Sequence, residues 1–298
     1  MLFAAAPFLL CLASMMPLGQ LSGQTKFPEH NLTNHPGNDR YASYSPDGEW
    51  IVFESDRNGK WDVFLMDKDG EQLFQLTKDP AGGRRPSWGP EGRKVLFEST
   101  REGATSLFEI NTDGSGLRRV MSMDKAIDGG LFARYSPDGK QIAYTLRESE
   151  TNFDLYLYSL AKGRSIALFT DEYRNVYPQW SPSGKEILFF SRHETNNTDD
   201  ELYRMKLKNG RLMRLTHWPM HNFCPSWSAN GRRIAYVTSM EGIRPEIYIM
   251  KKNGKGQQRI TFNEDGDTLP HWHPDGKKLL ITGYRDDNFE ICEVTLSP

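Results

Sequence analysis

Cysteine is scarce: three in 298 residues. That excludes a disulfide-stapled scaffold and any zinc site built on repeated thiol pairs. Cys11 falls in an apolar leader, and Cys224 and Cys292 read as small buried apolar residues rather than a bridge. Charge of one sign is also lacking. The formal net charge is −2, so the chain has no basic footprint of the kind that nucleic acid demands, and no nucleic-acid partner is expected. Long apolar runs are absent beyond residues 2–16. With no charged side chain before Lys26 and small residues at Ser22 and Gly23, residues 1–23 read as a secretory signal peptide, with a retained anchor as the alternative. No membrane span is expected once the leader is removed. Catalytic signatures are missing as well. There is no G-x-S-x-G and no P-loop, and His193-Glu194 lacks the second histidine of a zinc-protease helix, Asn197 standing there instead.

What the chain does contain is a repeat. The turn glycines Gly48, Gly92, Gly139, Gly184, Gly231 and Gly276 are spaced by 44, 47, 45, 47 and 45 residues. Each follows an aromatic residue (Tyr44, Trp88, Tyr135, Trp180, Trp227, Trp272) through a short turn reading SPDG, GPEG, SPDG, SPSG, SANG and HPDG. Proline presets φ and glycine closes such a turn; Ala229 replaces the proline in the fifth copy. A continuous apolar run comes next, such as WIVFES or KEILFF, as in a strand covered on both faces. A third, more alternating run then leads through a D-G or N-G hairpin, in four copies, to a fourth strand ending in Leu76-Thr77 and its equivalents.

A period near 45 residues with four strands per repeat specifies a propeller blade. The expected fold is all-β: a six-bladed β-propeller of four-stranded blades over residues 24–298, with blades starting near residues 38, 82, 129, 174, 221 and 267. The sixth repeat has only three strands. Residues 29–36 carry the missing Leu32-Thr33 ending, so an N-terminal strand is expected to complete the last blade and close the ring.

The repeat resembles the WD40-like (PD40) repeat of the TolB propeller family, closest in the first copy through Ser45-Pro46-Asp47-Gly48, Ser55-Asp56-Arg57, Asp62, Met66, Asp69-Gly70 and Leu76-Thr77. The resemblance covers nearly all of residues 24–298. It implies a propeller of the periplasm or a secreted one. The α/β domain that precedes the propeller in TolB is not expected here, since the stretch between Gly23 and Tyr41 leaves no room for it. Similar repeats also precede serine peptidase domains and make up oligogalacturonate lyases.

Individual motifs carry little. Asp47, Asp138 and Asp275 read as turn residues, and 67–70 as a hairpin turn rather than a calcium loop. The acidic run 263–267 is either a solvated loop or a cation site. His217, His221, His271 and His273 are the one group of imidazoles that a metal would suit. They support an alternative reading, since oligogalacturonate lyases hold a metal through propeller histidines. No cofactor is otherwise expected.

Position says more than motif. The A–B and C–D turns of the blades share one face and are stereotyped. The B–C and D–A loops share the other face, at the channel mouth, and there the copies differ. That face is expected to bind a protein partner through Arg40, Asp56, Arg57, Arg84, Arg85, Arg147, Arg174, Arg192, His221, Arg285 and Asp286. The competing reading is that these charges pair with one another across blades. The expected protein is a monomer without catalysis.

Overall fold

The computed structural model describes residues 27–122, 130–195, 198–217, 221–239 and 244–296. The segment expected to be a leader, residues 1–23, lies outside them. Among the described residues there are twenty-four strands and no helix, arranged as six antiparallel four-stranded sheets. In the first blade β2 (Asp39–Tyr44), β3 (Trp50–Ser55), β4 (Asp62–Asp67) and β5 (Leu73–Gln75) run from the axis outward in chain order. Blades two to five repeat this order, and consecutive blades pack face to face.

The sixth blade is closed from the front of the chain. β1 (Glu29–Asn31) pairs with β24 (Asn288–Thr295), placing His30 opposite Glu293. β24 in turn pairs with β23 (Lys278–Arg285), and β23 with β22 (Asp267–Trp272). The outermost strand of the last blade is thus supplied by the opposite end of the described chain, which joins the two ends of the ring.

The repeated L-T ending has a physical cause. Thr77 Oγ1 accepts the Val63 N–H at 2.9 Å and donates to the Asp62 carboxylate at 2.9 Å. Thr216 does the same with Leu202 N and Glu201, and Thr261 with Ile247 N and Glu246. Thr33 makes the clasp across the ring seam, accepting from Ile291 N at 3.0 Å and donating to Glu290. One hydroxyl thus ties the fourth strand to the start of the third. The second and third blades, which end in Met121 and Phe169, lack it.

Second strands are buried almost throughout, as expected; β3 exposes only part of Trp50. The third strands differ from expectation. β4 and β8 (Ser106–Asn111) are buried at every position but the last, rather than alternating. Neighbouring blades cover both of their faces, so the inside–outside contrast that produces alternation is missing.

The turns are also fasteners between blades. Gly48, with φ of +79°, sits against His273 of the preceding turn, while Gly92 and Gly139 sit against Pro46 and Pro90. The turn proline therefore fills the space under the next blade's glycine. Where Ala229 breaks the pattern, Arg233 takes over: its guanidinium donates to the Gly276 carbonyl at 2.7 Å and stacks on Trp272 at 4.5 Å. The aromatic before each turn reaches back one blade. Trp88, Trp180 and Trp272 donate their indole N–H to the carbonyls of Ser43, Arg134 and Ser226. Tyr135 donates to Glu109 at 2.6 Å, and Tyr44 to Glu293. The Trp227 indole N–H is buried without a partner among the described residues, and nothing in the structure explains it.

Candidate functional site

At or just before the innermost strand of every blade stands one non-glycine residue with positive φ: Tyr41, Arg85, Phe132, Tyr177, Cys224 and Leu269, of which Phe132 precedes its strand (Arg134–Tyr135) and the others lie within theirs. Their spacing is that of the turn glycines, so this is a repeat position. Five of the six inner strands, all but the third blade's, show a register shift there. The bulge turns side chains toward the axis, where they meet. Tyr41 of the first blade lies 6.2 Å from Phe132 of the third, and Phe132 lies 5.4 Å from Tyr177 of the fourth. Arg85 stacks on Phe132 at 5.2 Å and on Tyr41 at 6.0 Å. Cys224 and Leu269 pack against the same apolar cluster as Tyr41 and Phe132. These six residues form a plug across the channel.

Buried carboxylates hold the bulge where the second strand of the preceding blade carries glutamate. Glu54 accepts the Arg85 N–H at 2.7 Å, and Glu98 accepts the Leu131 and Phe132 N–H groups at 2.9 and 3.0 Å. Glu98 also pairs with the Arg85 guanidinium at 3.1 Å. Burial still pushes the Glu98 carboxyl above the usual carboxylate range, against the pull of Arg85 and the two backbone donors.

Above the plug, the eleven residues singled out from the sequence fall into separate groups. Arg57 donates through Nη2 to both carboxylate oxygens of the fully buried Asp39, at 2.9 and 3.0 Å. Asp56 accepts from the Asn38 backbone and side chain. Arg285 bridges Glu29 at 2.6 Å and Asp267 at 2.7 Å, and Asn263 donates to Asp267 at 2.6 Å. Arg285 is thus the cation of the 263–267 acidic run. Asp286 lies in the β23–β24 turn with φ of +48°. Arg192 and His221 both reach Asp200, at 3.1 and 3.5 Å. Arg85 belongs to the plug.

The remaining four form two stacks on aromatic rings. Arg40 lies over Trp61 at 4.5 Å and Phe289 at 4.8 Å, and Arg84 lies on the same Trp61 at 4.9 Å. Arg174 lies over Phe153 at 5.8 Å and Phe190 at 5.5 Å, and Arg147 on Phe153 at 5.7 Å. Arg84 pairs with Glu54 at 3.2 Å. Arg147 donates to the carbonyls of Ser149 and Glu150. Arg40 and Arg174 have no carboxylate partner among the described residues.

The four histidines do not converge. His273 pairs with Asp275 at 2.9 Å, His221 with Asp200, and His217 is exposed, while His271 accepts the Tyr44 N–H through Nδ1. No group of three or more potential metal ligands exists among the described residues. The turn aspartates act locally: Asp47 and Asp138 accept from Ser45 and Ser136 and from the backbone two residues on. Cys224 and Cys292 are both free thiols.

A model of the TolB beta propeller domain matches residues 57–195 and 130–298. The chain belongs to the TolB beta-propeller family. It is 28% identical over 154 residues to an uncharacterized peptidase, YuxL, of Bacillus subtilis, a match that spans 50% of this chain but 16% of that relative. Among solved structures it resembles a putative TolB from Agrobacterium tumefaciens (17% identity, TM-score 0.69, 89% of this chain and 96% of that one). It also resembles an oligogalacturonate lyase from Vibrio parahaemolyticus (12% identity, TM-score 0.65, 92% and 94%). At these identities the two structures share the fold. Among the described residues no helix is long and apolar enough to cross a membrane.

Sequence reasoning missed the plug. Its signal was present as the third residue before each turn aromatic, but Tyr, Arg, Phe, Tyr, Cys and Leu share no chemistry, so only the register identifies them.

Proposed function

We propose that this TolB-family propeller is a non-enzymatic, monomeric binding protein of the periplasm or of the secreted fraction. It captures a protein partner on the face made by its B–C and D–A loops. The observation that carries this reading is the pair of arginine–aromatic stacks, Arg40–Trp61–Arg84 with Phe289 and Arg147–Phe153–Arg174 with Phe190. Arginine and tryptophan side chains held rigidly at a surface are the residue types that dominate interface energetics. The plug closes the channel below them, so the partner seats on the mouth rather than passing through. Arg57, Arg85 and Arg285 are saturated by their own carboxylates and support the face from beneath. Periplasmic localisation rests on family membership together with the apolar leader.

The test is capture from a native envelope extract by the purified protein. Arg40→Ala and Arg147→Ala should each lower capture of a discrete partner at least several-fold while leaving thermal unfolding unchanged. Lys140→Glu, on the opposite face, should leave capture intact. Equal capture by wild type and both arginine variants would remove the mouth as the binding face. Stoichiometric manganese, zinc or calcium in the purified protein would instead revive the carbohydrate-active alternative.

A further inference from the structure

Directly beyond the plug, toward the SPDG face, a second repeat position meets on the axis. It is the residue before each turn aromatic: Ser43, Ser87, Arg134, Gln179, Ser226 and His271. Five of these, from the first, third, fourth, fifth and sixth blades, line one small cavity together with Tyr41, Tyr177 and Leu269. Residues from five different blades can share a wall only at the axis. Ser87 is turned away, donating to the Ala133 carbonyl at 2.9 Å.

The chemistry of this ring is one-sided. Arg134 has no carboxylate partner among the described residues; its guanidinium donates to its neighbour's carbonyl, Ala133 O, at 2.9 Å and lies over the Tyr177 ring at 5.6 Å. His271 accepts the Tyr44 N–H at Nδ1 (3.3 Å), which leaves Nε2 as an N–H donor. Burial, aided by the Arg134 charge, pushes this imidazole down to about 4, so the ring is neutral at pH 7. The Ser43 hydroxyl is buried with no partner among the described residues. No partner for the Ser226 hydroxyl or the Gln179 amide is found among the described residues. Donors converge, one of them positively charged, and no carboxylate lines the cavity. Arg134 is half-buried, and a cation partly withdrawn from water without a counter-ion is a place where an anion gains. The cavity has about 10 Å³ of free space, room for one small species and none for a polyatomic ligand.

We propose that this axial ring binds one monoatomic anion, chloride in the first instance, coordinated by Arg134 and by the donors of Ser43, Gln179, Ser226 and His271. The ion supplies the counter-charge that Arg134 lacks and joins the inner strands of five blades at one point. It stabilises the propeller by binding only the closed ring.

Bromide is the probe. Crystals grown in sodium bromide should give one anomalous peak on the axis between Arg134 and His271; a peak-free axis, with water alone, overturns the proposal. In solution, thermal unfolding is followed at constant ionic strength while gluconate is replaced by chloride. The wild type should show a saturating rise in Tm. Arg134→Gln, which keeps hydrogen-bonding capacity but loses the charge, should show none. If Arg134→Gln does not fold, Ser43→Ala with Ser226→Ala should raise the half-saturating chloride concentration at least several-fold. A wild type insensitive to chloride, or a variant as sensitive as the wild type, overturns the proposal.

Discussion

Replacing Thr33 by valine isolates the contribution of the seam. Valine keeps the shape and removes one hydroxyl. In the wild type that hydroxyl accepts from Ile291 N at 3.0 Å and donates to Glu290. Glu290 keeps two other donors, His35 N and Asn288 Nδ2, both at 2.9 Å, so its carboxylate is not stranded. The Ile291 N–H is. Leaving such a group unmade costs about 1–3 kcal/mol, and a lost bond to a charged acceptor adds to it, so a fall of ~2 kcal/mol is expected. The control is Thr77→Val, which deletes the same two bonds inside the first blade. Urea unfolding followed by tryptophan fluorescence should give similar losses for both. Amide exchange should separate them. Thr33→Val should speed exchange at Leu32 and Ile291, whose backbones pair at 2.8 Å across the seam, and Thr77→Val should speed it only around Val63. If Thr33→Val stays within about 0.5 kcal/mol of wild type while Thr77→Val loses ~2 kcal/mol, the N-terminal clasp does not hold the ring.

Glu98→Gln should cost about 3 kcal/mol in urea unfolding, because it leaves Arg85 charged in the plug with its partner neutralised; Arg85→Met combined with Glu98→Gln should cost less than the two single losses added. His271 is depressed to about 4 when folded and takes a proton near 6.5 when unfolded. Its contribution is therefore complete above pH 6.5 and is lost as pH falls through 4, by about 3 kcal/mol in all. His271→Gln should flatten stability across that window, and an unchanged pH slope would count against a buried neutral ring. Arg233→Ala should lower stability by about 1 kcal/mol through the lost bond to Gly276, and adding Ala229→Pro should recover part of it.

Most of the fold was legible because its signals are local and recur. The SPDG-type turns and the double-faced strands repeat a short-range rule six times and the threonine ending, displaced copy included, four times, and periodicity averages out deviations such as Ala229. Legibility failed where a residue's role depends on what stands opposite it. Arg57 and Arg40 look alike in sequence, yet one is locked on Asp39 and the other lies between Trp61 and Phe289. No spacing rule distinguishes them, because their partners come from other strands or another blade. The axial positions were hidden for a related reason. A ring assembled from one residue per blade needs no common residue type, so Ser43, Arg134, Gln179, Ser226 and His271 leave no motif.

The seam also dictates an order of events during synthesis. The Thr33–Glu290 contact joins residues 257 apart, and the strand that completes the last blade is among the first to leave the ribosome. Blades one to five complete their own sheets as they emerge, but β1 has no partner until β24 is made. For nearly the whole of translation the chain carries an unpaired strand at its front and an open-ended stack behind it. Closure is therefore the last and most non-local step, the kind that loop entropy makes slow. A circularly permuted chain that begins at Asp39 and carries residues 27–38 after Leu296 would make the same ring with a local final hairpin, and should refold faster at equal stability.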